Sequence, residues 1–375
     1  MSQVHDGERA QAAERLPVSI LTGFLGSGKT TLLNRLVHDP AMSGALVIVN
    51  EFGEVGLDHL MVETPADETI LLSNGCLCCS VLGDLVVTLG ALLERRDAGE
   101  LTAFERIVIE TTGLADPGPL LRTILTDPDL SHRFELDQVI TVVDALNGGR
   151  QLDANRESFK QAAAADRLVI GKADLAPGEA LDALHQRLQR LNPAAARFTA
   201  IRGVVQEPGL LDGRRAHDAG PEIPASLAPA APDPVHGGHG ASHVEDRIRS
   251  FTVHRPGRVT REGLRLWLNA MARFMGPALL RVKGIVDLEG RPVIVQAVQQ
   301  LFHEPRELER WPEGEAGGTR IVFITEGLER AEIEATLPAL DFAAPSGQAG
   351  ALAFDAADYG RFVDALDRFG PVERL

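Results

Sequence analysis

The chain has 375 residues, and its 37 Lys and Arg stand against 53 Asp and Glu, which gives a formal net charge of −16 at pH 7. A chain of this length usually divides into two domains, and a strongly negative protein repels nucleic acid and anionic membranes. Residues 1–16 lack the apolar core of a signal peptide, and no stretch approaches about eighteen uninterrupted apolar residues. We therefore expect a cytoplasmic protein that acts neither on nucleic acid nor at a membrane.

The first half of the chain alternates short β-branched runs with amphipathic stretches. This pattern is typical of a mostly parallel sheet with helices on both faces. After a disordered tail over residues 1–16, we expect a doubly wound α/β domain over residues 17–205. Its predicted strands are Val18–Leu21, Ala45–Val49, Thr69–Leu72, Arg106–Ile109, Gln138–Val143 and Arg167–Ile170.

A phosphate-binding loop follows the first predicted strand, in the sequence Gly23-Phe24-Leu25-Gly26-Ser27-Gly28-Lys29-Thr30. Its glycines allow backbone N–H groups to approach phosphate closely. Lys29 would reach the β- and γ-phosphates, and Thr30 would place its hydroxyl on Mg²⁺. The helix that begins near Thr31 would direct its positive end at the anion. The predicted phosphate-binding residues are Gly23, Gly26, Ser27, Gly28, Lys29, Thr30 and Thr31.

All three cysteines of the chain lie in the run Gly75-Cys76-Leu77-Cys78-Cys79. Thiolates favour zinc and related ions in tetrahedral coordination. Neighbouring side chains of a strand point to opposite faces, so Cys78 and Cys79 can share a metal only on a turn. The breaker Ser73-Asn74-Gly75 predicts such a turn. We propose Glu54 as an oxygen ligand, while thiol redox chemistry and burial as small apolar residues remain alternatives.

Two later strand ends carry further candidates for nucleotide contacts. Glu110-Thr111-Thr112-Gly113 follows a predicted strand and would put Glu110 near Mg²⁺ and the Gly113 N–H near the γ-phosphate. A helix cap is the alternative for Glu110, although Asp116-Pro117 already supplies a helix start.

The second of these strand ends is Gly171-Lys172-Ala173-Asp174, which has the pattern of a base-binding loop. The carboxylate of Asp174 can accept hydrogen bonds from both the ring N–H and the amino group of guanine, whereas adenine presents a lone pair at that ring nitrogen. Gly171 stands where such loops usually begin with Asn or Thr, so a side-chain contact that steadies the loop is missing. We predict guanine binding by Lys172 and Asp174.

Residues 206–246 are rich in Pro, Ala, Gly, Asp and His, which predicts a flexible linker. Its His236, His239 and His243 are either an auxiliary metal-capturing group or solvated linker residues. Residues 247–340 are expected to form a smaller α+β domain, and residues 341–375 a C-terminal extension with an amphipathic segment at Ala357–Phe369. The predicted elements of the second domain are strands Ile248–Val253, Leu279–Leu288, Val293–Val298 and Arg320–Ile324 and helices Arg261–Phe274 and Arg330–Leu337.

These segments, taken in order, resemble the CobW-type metal-chaperone GTPases, relatives of the nickel-inserting GTPases that serve urease and hydrogenase. The resemblance lies in Thr22–Thr31, Asn50–Glu54, Gly75–Cys79, Glu110–Pro117 and Gly171–Asp174 and continues in Leu280–Gly284 and Thr319–Ile324. It implies a GTPase that uses GTP and Mg²⁺, holds Zn²⁺ or Co²⁺ at the cysteine run, and delivers the metal to a metal-requiring client protein.

The phosphate loop and the segment after the strand at residues 106–109 supply the expected catalytic groups, which are Lys29, Thr30, Glu110 and Gly113. The residue that positions the attacking water stays open, with Glu51, Asp58 and Glu110 as candidates. Other hypotheses are a nucleotide-switched metal sensor or store, a thiol-redox regulator, and cobalt delivery for cobalamin synthesis or nitrile hydratase activation. A homodimer would allow a second subunit to complete the thiol site.

Overall fold

The computed structural model describes residues 15–50, 69–72, 80–101, 103–211, 248–312 and 317–342. These residues form two compact units. The first contains residues 15–149, 165–182 and 196–211, and the second contains residues 150–164, 183–195 and 248–342. Among the described helices, none combines the length and the apolar character needed to cross a bilayer.

The first unit is built on a sheet of eight strands in the order β3-β2-β4-β1-β5-β6-β7-β8. All neighbouring strands are parallel except β8, which runs antiparallel to β7. The strand order reverses at β1, and ligands of such open sheets bind at the carboxyl ends of the strands beside that reversal. The strands are β1 Leu16–Gly23, β2 Ala45–Asn50, β3 Thr69–Leu72, β4 Arg106–Glu110, β5 Phe134–Asp144, β6 Arg167–Gly171, β7 Ala196–Ile201 and β8 Val204–Val205.

Helices connect these strands, which confirms the predicted α/β fold class with its mostly parallel sheet. In the first of them, α1, Leu32, Leu33 and Leu36 pack against apolar side chains of the sheet. The helix α3 begins at Pro117 after Asp116, whose Oδ1 accepts a hydrogen bond from the Gly118 N–H at 2.9 Å. The helices are α1 Lys29–Leu36, α2 Ser80–Asp97, α3 Pro117–Thr126, α4 Gly148–Ala154, α5 Arg156–Ala164 and α6 Gly178–Leu191. Of these, α5 and most of α4 and α6 belong to the second compact unit.

The end of the first unit differs from the expectation drawn from the sequence. The strand β7 alternates half-buried and buried residues, so it shows no continuous apolar run and was absent from the predicted strands. The first residues of the expected linker pack against the sheet, because Leu210 and Leu211 are buried. Their carbonyl oxygens accept hydrogen bonds from Gln138 Nε2 at 3.3 Å and Arg106 Nη1 at 3.4 Å.

The sheet of the second unit is antiparallel, with the order β12-β11-β10-β14-β9 and β13 paired to β11. It confirms a separate α+β domain after the first. Two predicted helices end early, because residues Met271–Met275 form a π-type turn after α7 and Leu337–Asp341 form a 3-10 turn after α8. The elements are β9 Ile248–Arg255, α7 Arg261–Ala270, β10 Leu279–Leu288, β11 Arg291–Val298, β12 Leu301–Phe302, β13 Arg306–Glu307, β14 Thr319–Glu326 and α8 Arg330–Glu334.

An aromatic cluster forms the core of this domain. The ring of Trp267 on α7 meets Phe323 of β14 edge-on with centroids 6.3 Å apart, and Phe323 stacks on Phe251 of β9 at 5.8 Å. The indole of Trp267 is fully buried, and its Nε1–H donates to Thr336 Oγ1 at 2.8 Å. The core therefore satisfies the one polar atom that its largest side chain brings with it.

Replacing Thr336 with Val should destabilise the second domain by about 1–3 kcal/mol, because the buried indole N–H loses its acceptor. Trp267 and Trp311 are the two tryptophans of the chain and both belong to this domain, so fluorescence during urea unfolding reports on it selectively. Thr336→Ser keeps the hydroxyl and is the matched control, with a smaller loss expected. An unchanged unfolding midpoint for Thr336→Val would contradict this role of the hydrogen bond.

Candidate nucleotide site

The loop between β1 and α1 lies at the carboxyl end of β1, beside the reversal of strand order. Gly23, Gly26 and Gly28 have φ angles of 143°, 71° and 101°, which glycine adopts without the strain that other residues would carry. A Cβ on Gly23 would lie 2.3 Å from the carbonyl oxygen of Val142 in β5. The loop therefore runs directly against β5, and only glycine fits at Gly23.

Lys29 lies at the start of α1 with its ammonium group inside this loop. The residue is buried, and Nζ donates to the carbonyl oxygens of Gly23 at 2.9 Å and Phe24 at 3.3 Å. The buried hydroxyls of Ser27 and Thr112 make no hydrogen bond within the described part of the chain. A cation and a hydroxyl, from Lys29 and Ser27, beside the N-terminus of a helix suit the oxygens of a phosphate.

Thr30, in the first turn of α1, and Glu110, at the carboxyl end of β4, lie together. Thr30 Oγ1 donates to Glu110 Oε1 at 2.8 Å, and Glu110 is the last residue of β4 and is buried. A hydroxyl and a carboxylate side by side are the hard oxygen donors that Mg²⁺ prefers. The role of helix cap, which was the alternative for Glu110, belongs to Asp116 at the start of α3.

Gly113, in the segment after β4, lies against the phosphate loop. A Cβ on Gly113 would be 2.7 Å from the backbone nitrogen of Leu25 and 2.8 Å from its Cα. The structure therefore brings Gly113 to the same loop as Lys29. Thr31, by contrast, is exposed on α1, and its carbonyl oxygen lies 2.6 Å from where a Cβ on Gly203 would be.

The loop predicted to bind the base, Gly171-Lys172-Ala173-Asp174, follows β6 and approaches the phosphate loop at two points. A Cβ on Gly171 would lie 3.0 Å from the carbonyl oxygen of Ser27. Lys172 has a left-handed backbone, with φ 58°, and its Nζ donates to the carbonyl oxygen of Gly26 at 2.5 Å and to Asp144 Oδ2 at 2.8 Å. Asp174 Oδ2 lies 3.8 Å from Arg202 Nε.

Asp144 is a buried carboxylate at the end of β5. Its Oδ1 accepts hydrogen bonds from the backbone N–H groups of Leu146 at 2.8 Å and Asn147 at 3.0 Å. Burial raises the pKa of Asp144, but the hydrogen bonds from Lys172, Asn147 and Leu146 outweigh it, so that the pKa lies below its ordinary value. Asp144 is therefore ionised at neutral pH and carries a full charge opposite Lys172.

Several large apolar side chains are exposed in the loops at this edge of the sheet. Leu25 follows β1, Leu114 follows β4, Leu146 follows β5 and Leu175 follows β6, and each is between 45% and 59% exposed. They lie in the same loops as the polar groups of the site and contribute no donors or acceptors from their side chains.

The predicted metal ligands Cys76, Cys78, Cys79 and Glu54 lie outside the described residues, as do Glu51, Asp58 and the histidines of the linker. Within the described ranges, no three His, Cys, Asp or Glu side chains are gathered so as to hold a metal. The strand β3 ends at Leu72, shortly before the cysteine run, and pairs with β2 in parallel.

Asp144 and Arg202 were not assigned to the site from the sequence. Asp144 follows a buried apolar strand, a position where polar residues of parallel sheets often meet a ligand, and this signal would have found it. Arg202 stands in the tight turn between β7 and β8, with φ 49°, and the sequence offers no comparable indication of its contact with Asp174.

A glycine loop between a buried strand and a helix, with Lys29 and Thr30 opening that helix, defines a P-loop nucleotide-binding protein. Residues 17–199 match the family described as CobW/HypB/UreG, nucleotide-binding domain, and residues 248–340 match the Cobalamin synthesis protein cobW C-terminal domain. The chain belongs to the CobW family, as the resemblance of its motifs predicted.

Relatives in this family match along most of the chain. The zinc chaperone YjiA of Escherichia coli (strain K12) is 33% identical over 327 residues, covering 87% of this chain and 98% of that protein. The zinc chaperone CobW of Pseudomonas aeruginosa is 34% identical over 357 residues, covering 85% and 90%. The crystal structure of Zn(II)-bound YjiA GTPase from E. coli has a TM-score of 0.63 at 28% identity, covering 87% of this chain and 99% of that one.

The two glycines Gly23 and Gly26 should differ in their tolerance of Ala. The Cβ added by Gly26→Ala meets no atom within 4 Å. This variant should therefore lose only the free energy of the backbone strain at a positive φ, about 1–2 kcal/mol. Gly23→Ala also drives its Cβ into a carbonyl of β5, so the thermal unfolding midpoint, followed by circular dichroism, should fall by several degrees more. Equal midpoints for the two variants would show that this close approach is not a structural constraint.

Proposed function

We propose that the protein is a GTP-hydrolysing metallochaperone, which binds a divalent metal at Cys76, Cys78 and Cys79 and transfers it to a client protein under control of the nucleotide. The observation that carries the proposal is the convergence of Lys29, Thr30 and Glu110 on one loop at the carboxyl edge of the sheet. The names of the relatives, zinc chaperone YjiA and zinc chaperone CobW, support zinc as the metal.

GTP is the substrate of the proposed reaction. Lys29 exchanges its contacts with the Gly23 and Phe24 carbonyls for oxygens of the β- and γ-phosphates. The backbone N–H groups from Gly26 to Lys29 stabilise the negative charge that develops on the phosphates during attack by water. The Gly113 N–H would contact the γ-phosphate, and the packing of Gly113 against Leu25 in the phosphate loop supports this role.

Thr30 and Glu110 would hold Mg²⁺, because their oxygens already lie next to each other at 2.8 Å. When bound, Mg²⁺ neutralises charge on the β- and γ-phosphates. Glu110 contributes a carboxylate that is fixed by the end of β4, and Thr30 a hydroxyl that is fixed by the first turn of α1. Neither side chain needs a flexible loop to reach the metal.

Guanine preference is proposed to come from Asp174, with the aliphatic stem of Lys172 lying along the base. The carboxylate of Asp174 accepts two hydrogen bonds that only guanine, of the two common purines, donates together. Its side chain is 24% exposed and faces Arg202. A base that enters this loop therefore finds one acceptor group and one apolar stem.

The metal is cargo rather than a resident cofactor in this proposal. Three thiolates provide the donor set that zinc prefers, and Co²⁺ is the second candidate. The strand β3, which leads towards the cysteines, is parallel to β2, and β2 is parallel to β4, which ends in Glu110. These carboxyl ends share one edge of the sheet, which supports a coupling in which γ-phosphate loss releases the segment containing Glu54 and loosens the metal.

Replacing Asp174 with Asn should exchange guanine for xanthine nucleotides. The amide donates to the C2 carbonyl of xanthine and can no longer accept both guanine hydrogen bonds, so GTP affinity should fall by roughly 10- to 100-fold while XTP affinity rises. Competition against a fluorescent GDP analogue measures both dissociation constants. Asp182→Asn, an exposed position on α6, is the matched control. Unchanged GTP affinity in Asp174→Asn would remove Asp174 from the base site.

Replacing Cys78 with Ala should lower zinc affinity by about 10- to 100-fold or more, because loss of a metal ligand costs at least as much as loss of a hydrogen-bond partner that orients one. Competition with a chromophoric chelator gives the affinity, and phosphate release gives GTP turnover with and without equimolar zinc. Leu77→Ala, within the same run but without a sulfur, is the control. Unchanged zinc affinity in Cys78→Ala would contradict the metal assignment, and zinc binding without any GTP turnover would favour a metal store.

A further inference from the structure

The base-binding loop is held in an unusual way. Gly171 occupies its first position, and the backbone there approaches the phosphate loop so closely that a Cβ would lie 3.0 Å from the Ser27 carbonyl oxygen and 3.3 Å from Val142 Cγ1. A larger side chain at Gly171 has little room, so the loop cannot be tied to its neighbour by an amide or hydroxyl from that position. Another group must hold the loop in place.

Asp144 and Lys172 provide that contact. Lys172 Nζ lies between the buried Asp144 Oδ2 at 2.8 Å and the Gly26 carbonyl oxygen at 2.5 Å. It therefore connects the end of β5, the base-binding loop and the phosphate loop through one ammonium group. A left-handed backbone is unfavourable for a residue with a side chain, and Lys172 adopts it with φ 58° and ψ 31°. The two hydrogen bonds at Nζ stabilise this conformation.

The surroundings of Asp144 favour a fixed carboxylate. The side chain is 2% exposed, and its other oxygen is held by the N–H groups of Leu146 and Asn147. An ion pair with one buried and hydrogen-bonded partner is screened less by salt than a pair at the surface. Asp144 thus offers Lys172 a rigid anchor rather than a mobile counter-ion.

We infer that Asp144 is a positioning residue for guanine recognition, which fixes Lys172 and so supplies the contact between loops that Gly171 cannot make. The inference rests on the proposed function, because it requires that Lys172 and Asp174 bind the base. Asp144 touches neither base nor phosphate in this role. It acts by keeping the stem of Lys172 along the base plane and Asp174 in register with the base edge.

Two variants test the inference from opposite ends of the contact. Asp144→Asn keeps an oxygen for the N–H groups of Leu146 and Asn147 but removes the charge opposite Lys172. Lys172→Met keeps the aliphatic stem but removes the ammonium group. Each should weaken GDP binding by about tenfold or more. Each should also reduce the preference for GDP over IDP, whose base lacks the amino group that donates a hydrogen bond to Asp174. Titration calorimetry measures the dissociation constants of both nucleotides.

The double variant Asp144→Asn with Lys172→Met should bind GDP no more weakly than the weaker single variant, because both changes break one contact. Asp153→Asn removes a carboxylate from the ion pair with Arg187 and is the matched control, with no change expected. Lys172→Met keeps the test decisive if Asp144→Asn does not fold, since Lys172 is partly exposed.

Three outcomes would overturn the inference. Additive losses in the double variant would show that Asp144 does not act through Lys172. A lowered unfolding midpoint with an unchanged ratio of GDP to IDP affinity would assign Asp144 a purely structural role. In both cases the wild-type protein still prefers GDP, and the proposed function stands. A wild-type protein that binds no guanine nucleotide would instead contradict the proposed function and this inference together.

Discussion

Three close backbone approaches meet at the phosphate loop, and they leave little or no room for a side chain. Gly23 lies against the Val142 carbonyl of β5, Gly113 lies against the backbone of Leu25, and Gly171 lies against the Ser27 carbonyl. These approaches bring the ends of β1, β4, β5 and β6 together around the phosphate loop, beside the reversal of strand order. This close packing also sets the positions of Lys29, Glu110 and Lys172, because Lys29 begins α1, Glu110 ends β4 and Lys172 follows β6.

Much of the fold could be predicted from the sequence, because strands buried on both faces are continuous apolar runs. β4 and β6 are of this kind, and the expected limits of each lie close to the observed ones. The edge of the first unit could not be predicted in the same way. β7 alternates in burial, and Leu210 and Leu211 follow polar and helix-breaking residues, so their burial depends on partners that are distant in sequence.

In the candidate site, too, some contacts could be predicted from the sequence and others could not. The pairing of Thr30 with Glu110 could be expected, since both residues carry oxygen donors at positions that parallel strands bring to one edge. The contact of Asp144 with Lys172 joins residues 28 positions apart, and it depends on the backbone conformation of Lys172, which no local pattern indicates. The sequence shows that Gly171 has no side chain to tie the loop to its neighbour. The contact that takes this role, between Lys172 and Asp144 at the end of β5, is seen only in the structure.

Glycines that admit no substitution stand next to exposed leucines in the same loops. Leu114 follows Gly113 directly, and Leu25 lies two residues after Gly23. A change at an exposed leucine alters the surface around the site but leaves the backbone of the loop in place. The chemistry of phosphate binding and the surface that surrounds it can therefore diverge independently during evolution, and members of one family can keep the first while acquiring different versions of the second.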